Sequence, residues 1–183
     1  MFRRRTSPRF WKRRTVLKVI FAIDPGNEFS AYVLLDDNLK PMGFDKCTNE
    51  ALMNKITELF LFENIKCDVA IEMVASYGMS VGKTVFDTCV WIGRFYEAIR
   101  RYSNVNPTFI YRKDEKMCLC RTMKAKDSNI VQALVDRFAP DTPNKGKGTK
   151  KDKGFFYGFK KDIWQAMAVA CTYHDMYIEK GEF

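Results

Sequence analysis

The apolar run Val16-Leu17-Lys18-Val19-Ile20-Phe21-Ala22-Ile23 stops abruptly at Asp24-Pro25-Gly26, and that ending constrains the chain more than any other feature. The run is far shorter than the roughly eighteen apolar residues a membrane span requires. Its β-branched and aromatic residues favour a strand, and Pro-Gly cannot extend one. A basic stretch followed by an apolar run imitates a secretory signal, but this run carries Lys18 and no small-residue cleavage site follows it. The sequence therefore predicts a buried strand over 16–24 with a carboxylate at its very end.

The rest of the chain alternates in period. Residues 30–37 and 42–47 read as two more strands, joined by the turn residues Asp36-Asp37-Asn38, so the domain opens as an antiparallel hairpin. Helical spacing follows at Leu52, Ile56, Leu59 and Phe60, then a second β-like run over 67–74, the order of a crossover unit. After the glycine-containing loop 75–82, Val85, Cys89, Ile92, Tyr96 and Ile99 mark one face of a helix from about 84 to 102. A strand over 107–112, a helix containing Ile130, Leu134 and Val135, and a final helix over 161–178 complete an α/β order. The segment 140–160, rich in Gly, Lys and Pro, reads as a mobile basic loop. The expected organisation is a basic N-terminal arm over 1–15 and one domain over 16–183.

Three carboxylates stand among apolar residues. Asp24 closes the first strand, Glu72 lies inside Cys67-Asp68-Val69-Ala70-Ile71-Glu72-Met73-Val74, and Asp162 opens Asp162-Ile163-Trp164-Gln165-Ala166-Met167-Ala168-Val169-Ala170. Burying a carboxylate is costly unless it finds a partner or a metal ion, so these acids are candidate ligands for a divalent cation. Each also has a plain structural use: Asp24 as a turn cap, Glu72 as the partner of a lysine, Asp162 as an acid favoured at a helix N-terminus.

Charge points to a polyanion. The chain of 183 residues has a net charge of +9, of which residues 1–20 carry +8 and residues 142–161 carry +6, leaving −5 on the remainder. Basicity confined to two segments suits a protein that grips nucleic acid at defined places; the plainer reading of the first is a solubility or localisation tail. The six cysteines include one close pair, Cys118-Leu119-Cys120, and the chain has a single histidine, His174, so no zinc set of the usual spacing can be drawn. Reduced, cytosolic thiols are expected, and His174 reads as a surface or half-buried structural residue.

Taken together, Ile23-Asp24-Pro25-Gly26, Ala70-Ile71-Glu72 and Asp162-x-x-Gln165-Ala166-Met167-Ala168-Val169-Ala170 resemble the RuvC-type Holliday junction resolvases of the ribonuclease H-like superfamily, over residues 16 to 178. The sequence is most similar to the shorter bacteriophage members in Ala75-Ser76-Tyr77-Gly78-Met79, in Val90-Trp91-Ile92-Gly93-Arg94-Phe95 and in Lys160-Lys161-Asp162-Ile163-Trp164. The resemblance implies a mixed five-stranded sheet flanked by helices, and a magnesium-dependent endonuclease that cuts four-way and other branched DNA in the cytoplasm, of the host if the chain is of phage origin.

The resemblance also assigns roles. Asp24, Glu72 and Asp162 would be metal ligands, and Gln165 stands where the family usually keeps a second helix acid, one turn on. Gln165 still offers a carbonyl oxygen but no charge, so either another acid such as Asp152 or Asp175 contributes or three carboxylates suffice. Two Mg²⁺ held roughly 4 Å apart, with Mn²⁺ as a substitute, would activate water and stabilise the departing oxygen. Lys116 and Lys126 align with the family's basic residues at the scissile phosphate. Tyr77 falls where an aromatic stacks at the junction. Lys145, Lys147, Lys150, Lys151 and Lys153, beside Phe155, Phe156 and Tyr157, together with Lys160 and Lys161, would contact DNA. A homodimer through the helix at 84–102, with Gly93 permitting close approach, is implied as well. The rival expectation, motivated by Gln165, is a branched-DNA-binding protein with weak or no nuclease activity.

Overall fold

The computed structural model describes residues 17–61, 65–76, 78 and 80–179. Five strands form one sheet: β1 (Leu17–Asp24), β2 (Phe29–Asp36), β3 (Pro41–Thr48), β4 (Ile65–Met73) and β5 (Thr108–Tyr111), in the order β3-β2-β1-β4-β5. The β1–β2 and β2–β3 pairs are antiparallel, and β1–β4 and β4–β5 are parallel. This is the mixed sheet with an antiparallel start that the sequence predicts.

The helices are α1 (Asn49–Phe60), α2 (Lys83–Ser103), α3 (Arg112–Cys120), α4 (Asp127–Phe138) and α5 (Lys161–Tyr173), the last running on into a π-helical turn, His174–Ile178. The alternation of strand side chains sorts the core into two layers. Val19, Phe21, Ile23, Val69 and Ile71 face α1 and α2, whereas Ile20, Ala22, Ala31, Val33, Ala70 and Ile110 face α5 and the helices around it. Small residues at 22, 31 and 70 let α5 lie close against the sheet. That helix is buried at Ile163 and Trp164 and from Ala166 to Thr172, as expected of an element covered by the sheet on one side and by α3 and α4 on the other. Among the described residues no helix is long and apolar enough to cross a membrane, and no disulfide joins the six cysteines.

Two features depart from the sequence reading. The helical spacing read over 49–65 gives a helix that ends at Phe60, with Leu61 as its cap. The short helix α3, whose sequence Arg-Lys-Asp-Glu-Lys shows no apolar periodicity, follows β5 directly and is absent from the expected element order.

The segment read as a mobile basic loop is anchored at its aromatic end. Phe156 and Phe159 are fully buried, and Phe156 packs on Phe138, Phe155, Phe159 and Trp164 with ring centroids 4.5 to 6.3 Å apart. Phe155 stacks on Phe138 at 4.9 Å. The expectation that Phe155 and Phe156 serve DNA is thus corrected, because both rings are used to tie the loop to α4 and α5. Only the tip, closed by a bridge between Gly148 and Lys153, extends outward with its lysines. There Gly148 and Gly154 face backbone so closely that a Cβ would lie 2.3 Å from a carbonyl oxygen, which excludes any larger residue.

Candidate active site

Strand register brings the acids together. Ile23 pairs with Ile71 in the parallel β1–β4 ladder, so the next residues, Asp24 and Glu72, stand side by side at the C-terminal end of the two strands. Both follow the alternation set by Ala22 and Ala70 and therefore point to the α5 face. On the other side Asp24 pairs with Ala31, and Ala31 with Lys46, so Lys46 lies in the same cross-strand row.

The chain leaves Asp24 through a turn that side chains lock. Gly26 N donates to Ser30 Oγ at 3.1 Å, Ser30 Oγ donates to Asn49 Oδ1 at 2.6 Å, and Asn49 Nδ2 donates to the Gly26 carbonyl at 3.0 Å. A Cβ on residue 26 would meet the Phe29 carbonyl oxygen at 2.3 Å. Asp24 is consequently held by a partly buried hydrogen-bond triad and a glycine whose replacement would clash with backbone.

α5 delivers the third acid. Asp162 lies in its first turn, where the helix dipole favours a carboxylate, and makes an ion pair with Lys46. Gln165, one turn on, is turned to Arg112, whose Nη1 donates to its Oε1.

Arg112, the first residue of α3, organises the remaining acids. Its Nη1 donates to Glu115 Oε2 at 2.5 Å and lies 3.9 Å from Glu72 Oε1, while Nη2 donates to Asp127 Oδ1 at 2.6 Å. Glu115 is fully buried, and among the described residues its Oε1 has no hydrogen-bond partner. Neither residue stands out in the sequence. The signal available was faint: an Arg–Glu pair at i, i+3 immediately after a strand.

The electrostatics are those of crowded acids. Burial, then the neighbouring Glu72, hold the Asp24 carboxyl well above the usual range. Glu72 is raised by burial too, with Arg112 and a hydrogen bond from Asp24 pulling the other way. Both carboxyls of the pair are thus held towards the protonated form in the absence of a cation. Burial and Glu72 push Glu115 up to about 9 against the pull of Arg112. Neighbouring carboxyls need a proton or a cation between them. A set of hard oxygen donors with one buried oxygen unpartnered fits a Mg²⁺-type ion better than a softer metal.

The other sequence-predicted residues fall in different places. Lys116 is half-buried and Lys126 exposed, and neither makes an ion pair with the three acids; among the described residues the cations paired with them are Arg112 and Lys46. Asp175 is not beside the site. It sits past the far end of α5, bound by Arg137 through both oxygens at 2.7 and 2.9 Å and touched by half-buried His174, which removes it as a fourth ligand. Asp152 is exposed, and its backbone closes the loop tip with Thr149. Lys145, Lys150, Lys151, Lys153, Lys160 and Lys161 are exposed and Lys147 half-buried. Lys46, Lys160 and Lys161 line one cleft of about 300 Å³ beside Asp162. Tyr77 and the arm over 1–15 lie outside the described residues.

Among solved structures the chain is similar to Thermus thermophilus RuvC in complex with a Holliday junction substrate, with a TM-score of 0.64 at 13% identity over 90% of this chain and 96% of that one. A further Thermus thermophilus RuvC structure gives a TM-score of 0.62 at 16% identity, covering 89% of this chain and 96% of the other. No protein-family model and no curated protein matches the sequence. The likeness spans nearly the whole of both chains, sheet and helices together, and so the chain has the ribonuclease H-like fold of the RuvC-type resolvases.

Proposed function

We propose that the protein is a divalent-metal-dependent endonuclease acting on branched DNA, four-way junctions included. The observation that carries this reading is the convergence of Asp24, Glu72 and Asp162, remote in sequence, at the ends of two adjacent parallel strands and the start of the helix that crosses them. These three acids would hold the Mg²⁺ ions, which supply an activated water and stabilise the leaving oxygen. Lys46 and Arg112 stand at opposite sides of the acids, placed to bind phosphate oxygens, and Lys160 and Lys161 extend the cationic surface towards the loop tip with its five further lysines.

A homodimer supports cutting on opposing strands. On α2, Phe86 and Val90 are 59% and 62% exposed, and Gly93 and Glu97 continue the same stripe at i+7 and i+11. A stripe with two exposed apolar side chains, a small residue and then a charge, flanked by Arg94 stacked on Trp91 at 3.9 Å, suits a second copy of the helix. The alternative, a junction-binding protein with weak or no nuclease activity, is favoured by one observation: Gln165 is neutral and engaged by Arg112.

A synthetic four-way junction, incubated with the purified protein and Mg²⁺, separates the two. The proposal expects nicks in opposing strands that vanish with EDTA. Junction binding without any nick at millimolar Mg²⁺ or Mn²⁺ would leave the binding reading in its place.

A further inference from the structure

We propose that Glu115 is the fourth carboxylate ligand of the metal site, supplying from α3 the charge that Gln165 does not supply from α5, with Arg112 competing against the metal for it. The inference rests on the nuclease reading above. It starts from burial: Glu115 is 0% exposed, and one of its oxygens has no partner among the described residues. A carboxylate oxygen sealed from water without a donor is costly for a purely structural residue and useful for one awaiting a cation.

Position supplies the second argument. Glu115 Oε2 and Gln165 Oε1 accept from the same nitrogen, Arg112 Nη1, and Glu72 Oε1 lies 3.9 Å from it. One cationic atom is thus shared by oxygens from α3, α5 and β4. A hard cation asks for just such a convergence of oxygens, and here the guanidinium meets it. Glu115 and Gln165 are then two routes to one place: a ligand at the start of α5's second turn, or one from the helix packed against it. Charge agrees, because Asp24, Glu72, Asp162 and Glu115 together carry four negative charges when ionised, which balances two divalent ions.

Mn²⁺ binding to the full-length protein, measured by calorimetry and by the loss of free Mn²⁺ signal in electron spin resonance, tests this without reference to cleavage. Glu115→Gln is expected to weaken Mn²⁺ binding roughly tenfold or more, or to remove one bound ion. Arg112→Gln is expected to tighten it, since a competing cation is gone. The decisive variant is Glu115→Gln with Gln165→Glu, which returns the charge from α5 and should recover most of the lost affinity; a buried residue with only a packing role would show no such rescue. Melting curves of each variant identify any that fails to fold, and Gln165→Glu alone, with the native Glu115 in place, is then compared for a gain in Mn²⁺ affinity. Asp24→Asn is the control. If it abolishes Mn²⁺ binding while Glu115→Gln leaves affinity and stoichiometry unchanged, the role of Glu115 is overturned and the nuclease reading stands. If Asp24→Asn itself leaves Mn²⁺ binding intact, the metal site as a whole is misplaced.

Discussion

Replacing Arg112 by alanine removes the tie between four elements, and the structure sets how much stability should go with it. The guanidinium joins Glu115 on α3, Gln165 on α5, Glu72 on β4 and Asp127 on α4. Asp127 is 69% exposed, so its contact contributes at most about 1 kcal/mol. Glu115 is different. With Arg112 in place Glu115 already holds its proton at pH 7, its pKa being raised to about 9, so removing the guanidinium leaves a neutral buried carboxyl without a donor, which costs about 1–3 kcal/mol. A net loss of roughly 2 kcal/mol at pH 7 follows, which moves the urea midpoint down by about 1 M at a slope near 2 kcal/mol/M. Urea titrations in EDTA, followed by tryptophan fluorescence, measure it. In a Glu115→Met background there is no carboxyl to leave without a donor, and the same replacement should cost about 1–2 kcal/mol less. A loss under about 0.5 kcal/mol, or strict additivity of the two substitutions, would mean that Arg112 is a solvated charge and that the contacts carry no energy.

Asp24→Asn, Glu72→Gln and Asp162→Asn should each abolish cleavage while leaving junction binding near normal or tighter, as gel shifts and cleavage assays on the same preparations will show; equal loss of both would end the catalytic assignment. Neutralising Lys145, Lys147, Lys150, Lys151 and Lys153, or deleting residues 1–14, should lower affinity for every DNA form and flatten the dependence of log K on log salt, because fewer counterions are released. With divalent ions chelated, stability should fall as pH rises from the ordinary glutamate value of 4.5 towards about 9, since over that window the folded chain keeps a proton on Glu115 that the unfolded chain has released; Glu115→Gln should flatten the slope in thermal melts. Phe156→Ala removes a ring buried among four others and should cost about 3–5 kcal/mol, with the loop over 147–153 becoming sensitive to proteolysis.

Much of this was legible in the sequence for a simple reason: the sheet is built from runs whose period and terminators are local. Asp24 next to Pro25-Gly26 and Glu72 after Ala70-Ile71 mark strand ends by themselves, and parallel pairing of the two runs sets them side by side. Asp162 was visible because α5 is apolar on every face. Glu115 was not, since Arg-Lys-Asp-Glu-Lys is the composition of a solvated surface, and its burial comes from α3 packing against α4 and α5, elements later in the chain. Lys46 is hidden in the same way, being brought to Asp162 by sheet order and helix position together. Phe155 and Phe156 misled because neighbouring lysines dominate the local composition, although Phe156, Phe159 and Ile163 repeat at the spacing of a packed face.

The position of α5 also governs when the protein becomes whole. It is the last long helix along the chain, yet it lies over the centre of the sheet, against strands made more than a hundred residues earlier. During synthesis the strands emerge first and must wait with Ile20, Ala22, Ala31 and Val33 uncovered, a sticky surface for which α5 is the proper cover. Because Asp162 arrives on that same helix, hydrophobic closure and completion of the acid cluster are one event. A chain still on the ribosome, or cut short before residue 161, therefore holds two of the three acids, and the set is complete only once α5 has docked.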